Sequence, residues 1–142
     1  MAETKTFTFY VKERPSSAKS QLTSAKKIFE RMKPLVEADQ ESFWVIGLNS
    51  ANREIYQDCL FVGGMQQCVV DLRILFKRLL AVGACAFVVV HNHPGGICKA
   101  SVEDINLTTR IKKAADILDL NFLDHVIISD DGHWSLKYRD LM

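Results

Sequence analysis

No apolar run in this 142-residue chain is long enough to cross a bilayer. None of its four cysteines (Cys59, Cys68, Cys85 and Cys98) stands in a C-x-x-C pair. The polar start Met-Ala-Glu-Thr-Lys has no apolar h-region. The cysteines therefore read as reduced thiols of a cytoplasmic protein rather than as two disulfides, and Cys85, in an apolar run, is expected in the core. Neither sign of charge prevails: 18 basic and 17 acidic residues leave a formal net charge of +1. That balance argues against a strong binder of phosphate backbones and leaves room only for weak DNA association through a local patch. Lys12, Arg14, Lys19, Lys26, Lys27, Arg31 and Lys33 are the candidates, and their plain reading is a solvated helix face. There is no repeat, no low-complexity tract and no linker long enough to divide the chain. One domain over residues 1–142 is expected, with a core of about 41–136 and a strand and helix within 1–40.

What is present is a large apolar fraction, 48%, enough for a core without covalent staples. Alternation at Thr6 to Val11 predicts a strand. Leu22, Ala25, Ile28, Phe29 and Met32 recur at helical spacing and predict a helix over Ser20 to Val36, its end blurred by Pro34. Phe43 to Leu48 and Ile55 to Val62, separated by Asn-Ser-Ala-Asn, predict a hairpin. Val69 to Leu80 reads as an amphipathic helix. Ala86-Phe87-Val88-Val89-Val90 has the character of a central strand covered on both faces. A helix from Ser101 to about Leu118 follows, then a strand from His125 to Ser129 and a short one at Trp134 to Leu136. Helices alternating with strands imply an α/β fold with a mixed sheet and helices on both faces.

The central strand runs into His91-Asn92-His93-Pro94-Gly95-Gly96. Side chains at i and i+2 of an extended segment share a side, so both imidazoles reach one point beyond the sheet edge. Asn92 should point away. Pro94 ends the ladder and the glycines allow a sharp turn. The chain returns at Ser101-Val102-Glu103-Asp104, the first turn of a helix, where Asp104 can meet the same point. Taken alone, S-x-x-D before a helix is a capping box. With the two histidines it completes a ligand set familiar for catalytic zinc: two imidazoles and a carboxylate, with a fourth position open to water. Zinc lowers the pKa of such a water to about 7, which suits hydrolysis of a carbonyl-type bond.

His-x-His-Pro, six residues, then Ser-x-x-Asp resembles the motif of the JAB/MPN (JAMM) metalloproteases. HNHPGG, SVEDINLTTR and LDHVIIS together resemble the RadC-like proteins of that superfamily, over about Glu41 to Ser135. The resemblance implies a three-layer α-β-α sandwich like that of the cytidine deaminases. It also implies zinc on His91, His93 and Asp104, and cleavage of a peptide or isopeptide bond in a protein substrate. The family's motif serine falls on Ser101, where the hydroxyl helps to stabilise an oxyanion. Its catalytic glutamate, which passes a proton from water to the leaving amine, matches Glu41 best. From the residues alone, Glu54 and Glu103 are equally good carboxylates. Asp124-His125 matches a RadC pattern and reads as structural. Cys98, with no partner cysteine, is a weak ligand candidate.

The chain departs from its relatives at Ala100, where proline is common before the serine, and at Gly95-Gly96, where Ser-Gly is common. The residues before Glu41 show no Gly-rich hairpin of the helix-hairpin-helix kind. A deaminase would need H-x-E and P-C-x-x-C, and the letters His-Asn-His do not make an HNH nuclease. The serious alternative is a non-enzymatic interaction module, as in MPN domains without the motif, or a DNA-repair accessory protein as the RadC name suggests.

Overall fold

A computed structural model describes residues 2–6, 8, 21–36, 39–63 and 70–142. Among these residues five strands form one mixed sheet in the order β2-β1-β3-β4-β5. Their ranges are β1 Ser42–Leu48, β2 Glu54–Val62, β3 Ala86–Asn92, β4 Asn121–Ser129 and β5 Gly132–Ser135. Among the described residues three α-helices pack on it: α1 Ala25–Met32, α2 Leu72–Ala81 and α3 Val102–Ile117. β1 and β2 form the expected antiparallel hairpin, and β3 pairs antiparallel with β1 and parallel with β4. The parallel pair is joined through α3, as such a pair must be joined by a crossover.

Two separate apolar clusters define the layers. Phe43, Val45, Phe87, Val89 and Phe122 of the sheet meet Leu75, Phe76 and Leu79 of α2 and Ile111 and Ala115 of α3. On the other face Ile46, Leu48, Val88, Val90, Val126 and Ile128 meet Leu22, Ile28 and Met32 in and beside α1. β3 lies at the middle of the sheet and every one of its residues is buried. Each large apolar side chain buried there contributes about 1.5–3 kcal/mol. A fully buried central strand therefore leads directly to the two histidines at its C-terminal end.

Several boundaries differ from the sequence reading. The first helix begins at Ala25, not Ser20, because Ser24 caps it by accepting from the Lys27 N–H. It passes at Lys33–Leu35 into a 3-10 turn that accommodates Pro34. α2 begins at Leu72 behind the Asp71 cap. β4 starts four residues earlier than expected, at Asn121, and β5 spans Gly132–Ser135. Cys85 is exposed rather than buried. It precedes β3 and gives its backbone to both neighbours, to Leu48 O and from Asn121 N, while its side chain faces out at the strand entry. The strand expected at Thr6 to Val11 falls largely outside the described residues, as do Lys12, Arg14 and Lys19. Of the remaining cations, Arg31 is spent on a two-pronged pair with Glu54 at 2.9 and 3.0 Å. Among the described residues no helix is long and apolar enough to cross a membrane.

Candidate metal centre

His91 is the penultimate residue of β3, paired with Phe43 of β1 on one side and Ile127 of β4 on the other. The ladder extends one residue past the strand, because the His93 N–H donates to Ile128 O at 2.9 Å. His93 thus keeps the alternation that places it on the side of His91. The chain then reverses in a β-turn closed by the Gly96 N–H to His93 O at 3.3 Å. Pro94 occupies the second position of the turn, where a fixed φ is useful, and Gly95 the third, where φ is +60°.

Asp104 arrives from α3. Ser101 caps the helix in a reciprocal box: its Oγ accepts from the Asp104 N–H at 3.1 Å, and its N–H donates to Asp104 Oδ2 at 2.8 Å. The capping reading and the ligand reading of S-x-x-D are therefore compatible. The cap engages Oδ2, which His93 also approaches, and leaves Oδ1 facing His91. His91 Nδ1 lies 3.1 Å from Asp104 Oδ1, and His93 Nε2 lies 3.2 Å from Asp104 Oδ2. Glu41, immediately before β1, brings Oε1 to 3.8 Å from His91 Nε2. Glu54 is held by Arg31, and Glu103 is exposed on the outer side of α3. Of the three carboxylates open at the sequence level, Glu41 is the one at the centre. Cys98 is not: its thiol points to Ile127 O at 3.7 Å.

The electrostatics follow from this packing. Burial alone would push the Asp104 carboxyl up, but the adjacent imidazoles of His91 and His93 outweigh it and hold the group well below the usual carboxylate range. His93 is raised by Asp104 against the opposing effect of burial.

An inventory of unpaired atoms locates the centre independently. Among the described residues, the buried side-chain atoms without a hydrogen-bond partner are both ring nitrogens of His91, Asp104 Oδ1, His125 Nε2 and Trp134 Nε1. His91 Nδ1 and Asp104 Oδ1 are close but not aligned for a hydrogen bond. Leaving a buried polar atom unpaired costs about 1–3 kcal/mol, and here all but one of them belong to three neighbouring residues, His91, Asp104 and His125. Donor atoms of Glu41, His91 and His93 lie within 4.8 Å of one another, and so do those of His91, Asp104 and His125. Two overlapping groups of imidazole nitrogens and carboxylate oxygens suit a borderline cation such as zinc.

His125 is the residue that the sequence reading assigned elsewhere. It is fully buried on β4, and burial lowers its pKa to about 3, with the charge of His91 acting in the same direction. The sequence signal was one imidazole directly before the apolar run Val126-Ile127-Ile128. Its neighbour Asp124 does play a structural part, accepting from the Ser135 hydroxyl at 2.6 Å and the Lys137 N–H at 3.1 Å.

Beside Glu41 a cavity of ≈ 330 Å³ is lined by Asp39, Gln40, Glu41, Gly63 and Pro94. A larger cavity of ≈ 640 Å³ lies between α1 and β5 and holds none of the sequence-predicted site residues.

The sequence profile of the family described as RadC-like JAB domain matches residues 22–141. A UPF0758 protein of Flavobacterium johnsoniae is 40% identical over 115 residues, which cover 80% of this chain and 50% of that relative. One from Porphyromonas gingivalis is 35% identical over 112 residues, covering 78% and 49%. One from Desulforudis audaxviator is 40% identical over 103 residues, covering 72% and 45%. The chain thus spans about half the length of the curated relatives it matches.

Proposed function

We propose, from the premise that this chain belongs to the RadC-like JAB domain family, that it is a zinc-dependent hydrolase of peptide or isopeptide bonds. The observation that carries this reading is that Asp104 lies within 3.2 Å of both His91 and His93, with Glu41 beside His91, while both ring nitrogens of His91 and Asp104 Oδ1 are buried with no hydrogen-bond partner. His91, His93 and Asp104 would hold the metal. Zinc bound there would supply Lewis acidity toward a carbonyl oxygen and toward an attacking water.

The chain's own residues account for the rest. β3 fixes the histidines, and the Ser101 cap fixes the Asp104 carboxylate, so the donors are set before metal arrives. Glu41 sits at the rim with its carboxylate 3.8 Å from His91 and one edge on the adjoining cavity. It is the base that would accept a proton from the attacking water and return it to the departing amine. Ser101, at the helix N-terminus, has a hydroxyl hydrogen not committed to the cap, which would donate to the carbonyl oxygen as charge develops on it.

The direct test is elemental analysis of purified protein. About one zinc per chain is expected for the wild type and little for Asp104→Asn. No metal in either, even after incubation with zinc, would overturn the reading and leave a non-enzymatic interaction module. With metal established, Glu41→Gln should retain zinc but lose about 10²–10⁴-fold in cleavage of a peptide library. Zinc lost together with activity would make Glu41 a ligand instead of the base.

A further inference from the structure

His125 is placed at the centre by a feature of β4 that the sequence does not announce. Phe122 faces α2 and α3 in the first cluster, so strict alternation would aim Asp124 at that face and His125 away from it. The β3–β4 register slips by one residue between Phe87 and Val88, whose partners are Phe122 and Asp124. Leu123 and Asp124 both border the cavity beside α1. Beyond the slip the parity is reversed: Val126 and Ile128 join the α1 cluster, and His125 turns toward α3. Bulges re-aim side chains in this way beside functional sites.

The tautomer is fixed as well. Thr108, one turn after Asp104 on the buried face of α3, donates its hydroxyl hydrogen to Asp104 O at 2.7 Å. Its oxygen lies 2.7 Å from His125 Nδ1. A hydroxyl that has given its only hydrogen can only accept, so Nδ1 carries the proton and Nε2 carries the lone pair. That Nε2 is buried, without a hydrogen-bond partner, and within 4.8 Å of donor atoms of His91 and Asp104. An imidazole oriented through its distal N–H, with the other nitrogen bare, is how metal-ligating histidines are held.

We propose that His125 is a further protein ligand of this metal centre, binding through Nε2, with Thr108 as its positioning residue. The inference rests on the zinc-site reading above and extends its donor set to three imidazoles and one carboxylate. Zinc bonds of about 2.0–2.1 Å require donors no more than about 4.2 Å apart. The donor atoms of His91, Asp104 and His125 lie within 4.8 Å of one another, so relative to His91 and Asp104 a shift of about 0.6 Å or less brings His125 to that limit. Zinc can reach five-coordination, so a water or substrate oxygen keeps a place beside four protein ligands.

The test is zinc affinity, by competition with a chromophoric chelator, on wild type, His125→Leu, Thr108→Val and Asp104→Asn. Cobalt(II) loaded in place of zinc gives a visible spectrum that reports the donor set without turnover. His125→Leu should bind zinc at least about 100-fold more weakly and change the cobalt spectrum. Thr108→Val should bind about 10-fold more weakly, in the range for loss of an outer partner. Zinc affinity and cobalt spectrum unchanged in His125→Leu, with Asp104→Asn still losing metal, would overturn the inference and leave the zinc site standing. Absence of zinc from the wild type would overturn both. Should His125→Leu fail to fold, Thr108→Val decides: wild-type affinity in that variant would overturn the inference.

Discussion

His91 and Asn92 are neighbours on one strand, equally buried, and opposite in their chemistry. Asn92 faces the α1 side and is fully engaged. Its Oδ1 accepts from the Ser42 N–H at 2.7 Å and the Ser42 hydroxyl at 3.0 Å, and its Nδ2 donates to Gln40 O at 2.7 Å. His91 faces α3, and neither of its ring nitrogens has a hydrogen-bond partner. A buried polar group is normally satisfied, and each exception asks for a reason. On one face of the sheet the polar groups tie the N-terminal edge of β1 to the end of β3. On the other they are left open, at a cost that the proposed metal would offset.

The pair can be separated by substitution. His91→Leu removes two unpaired nitrogens and keeps the volume, so the metal-free protein should lose little or no stability. Its zinc affinity should fall by more than the roughly 100-fold upper range for an outer partner. Asn92→Ala should do the reverse. It strands the Ser42 N–H in a buried position and should cost about 2 kcal/mol in urea unfolding, while zinc per chain stays at the wild-type value. The comparison breaks if His91→Leu destabilises the metal-free protein as much as Asn92→Ala does, since His91 would then be an ordinary core residue.

Much of this layout was legible because it follows period and punctuation. The buried run before His91, the hairpin at Asn49 to Arg53 and the cap at Ser101 each have a local signature, and each appears where those signatures put it. The i, i+2 rule placed His91 and His93 on one side because β3 is regular, with no slip against β1. β4 is not regular. Its one-residue slip lies between two apolar residues, Phe122 and Leu123, and an aspartate, and nothing in their order marks it. His125 was read as structural together with Asp124, and nothing in the local order showed that the bulge turns it toward His91 and Asp104. The misplacement of Cys85 has a similar origin: apolar neighbours predict burial only while the strand lasts, and β3 begins one residue later. Glu41 was undecided among three carboxylates because proximity to His91 is set by pairing between β1 and β3, not by sequence distance.

Ser101 belongs to both halves of the comparison, since its hydrogen bonds are satisfied and yet serve the open site. The smallest effect on stability is expected there. Ser101→Ala removes the acceptor for the Asp104 N–H and should cost about 1 kcal/mol, whereas Ser101→Gly should cost only a few tenths, because a bare N-cap lets water reach the first turn. Both variants keep the backbone N–H that donates to Asp104 Oδ2. Zinc per chain should therefore be unchanged in both, measured beside the unfolding curves. A loss of zinc in Ser101→Gly at nearly full stability would mean that the hydroxyl, and not the backbone, orients the Asp104 carboxylate. The cap and the ligand would then be one device, and the division between finished and unfinished polar groups would run through Asp104 itself, with Oδ2 on one side and Oδ1 on the other.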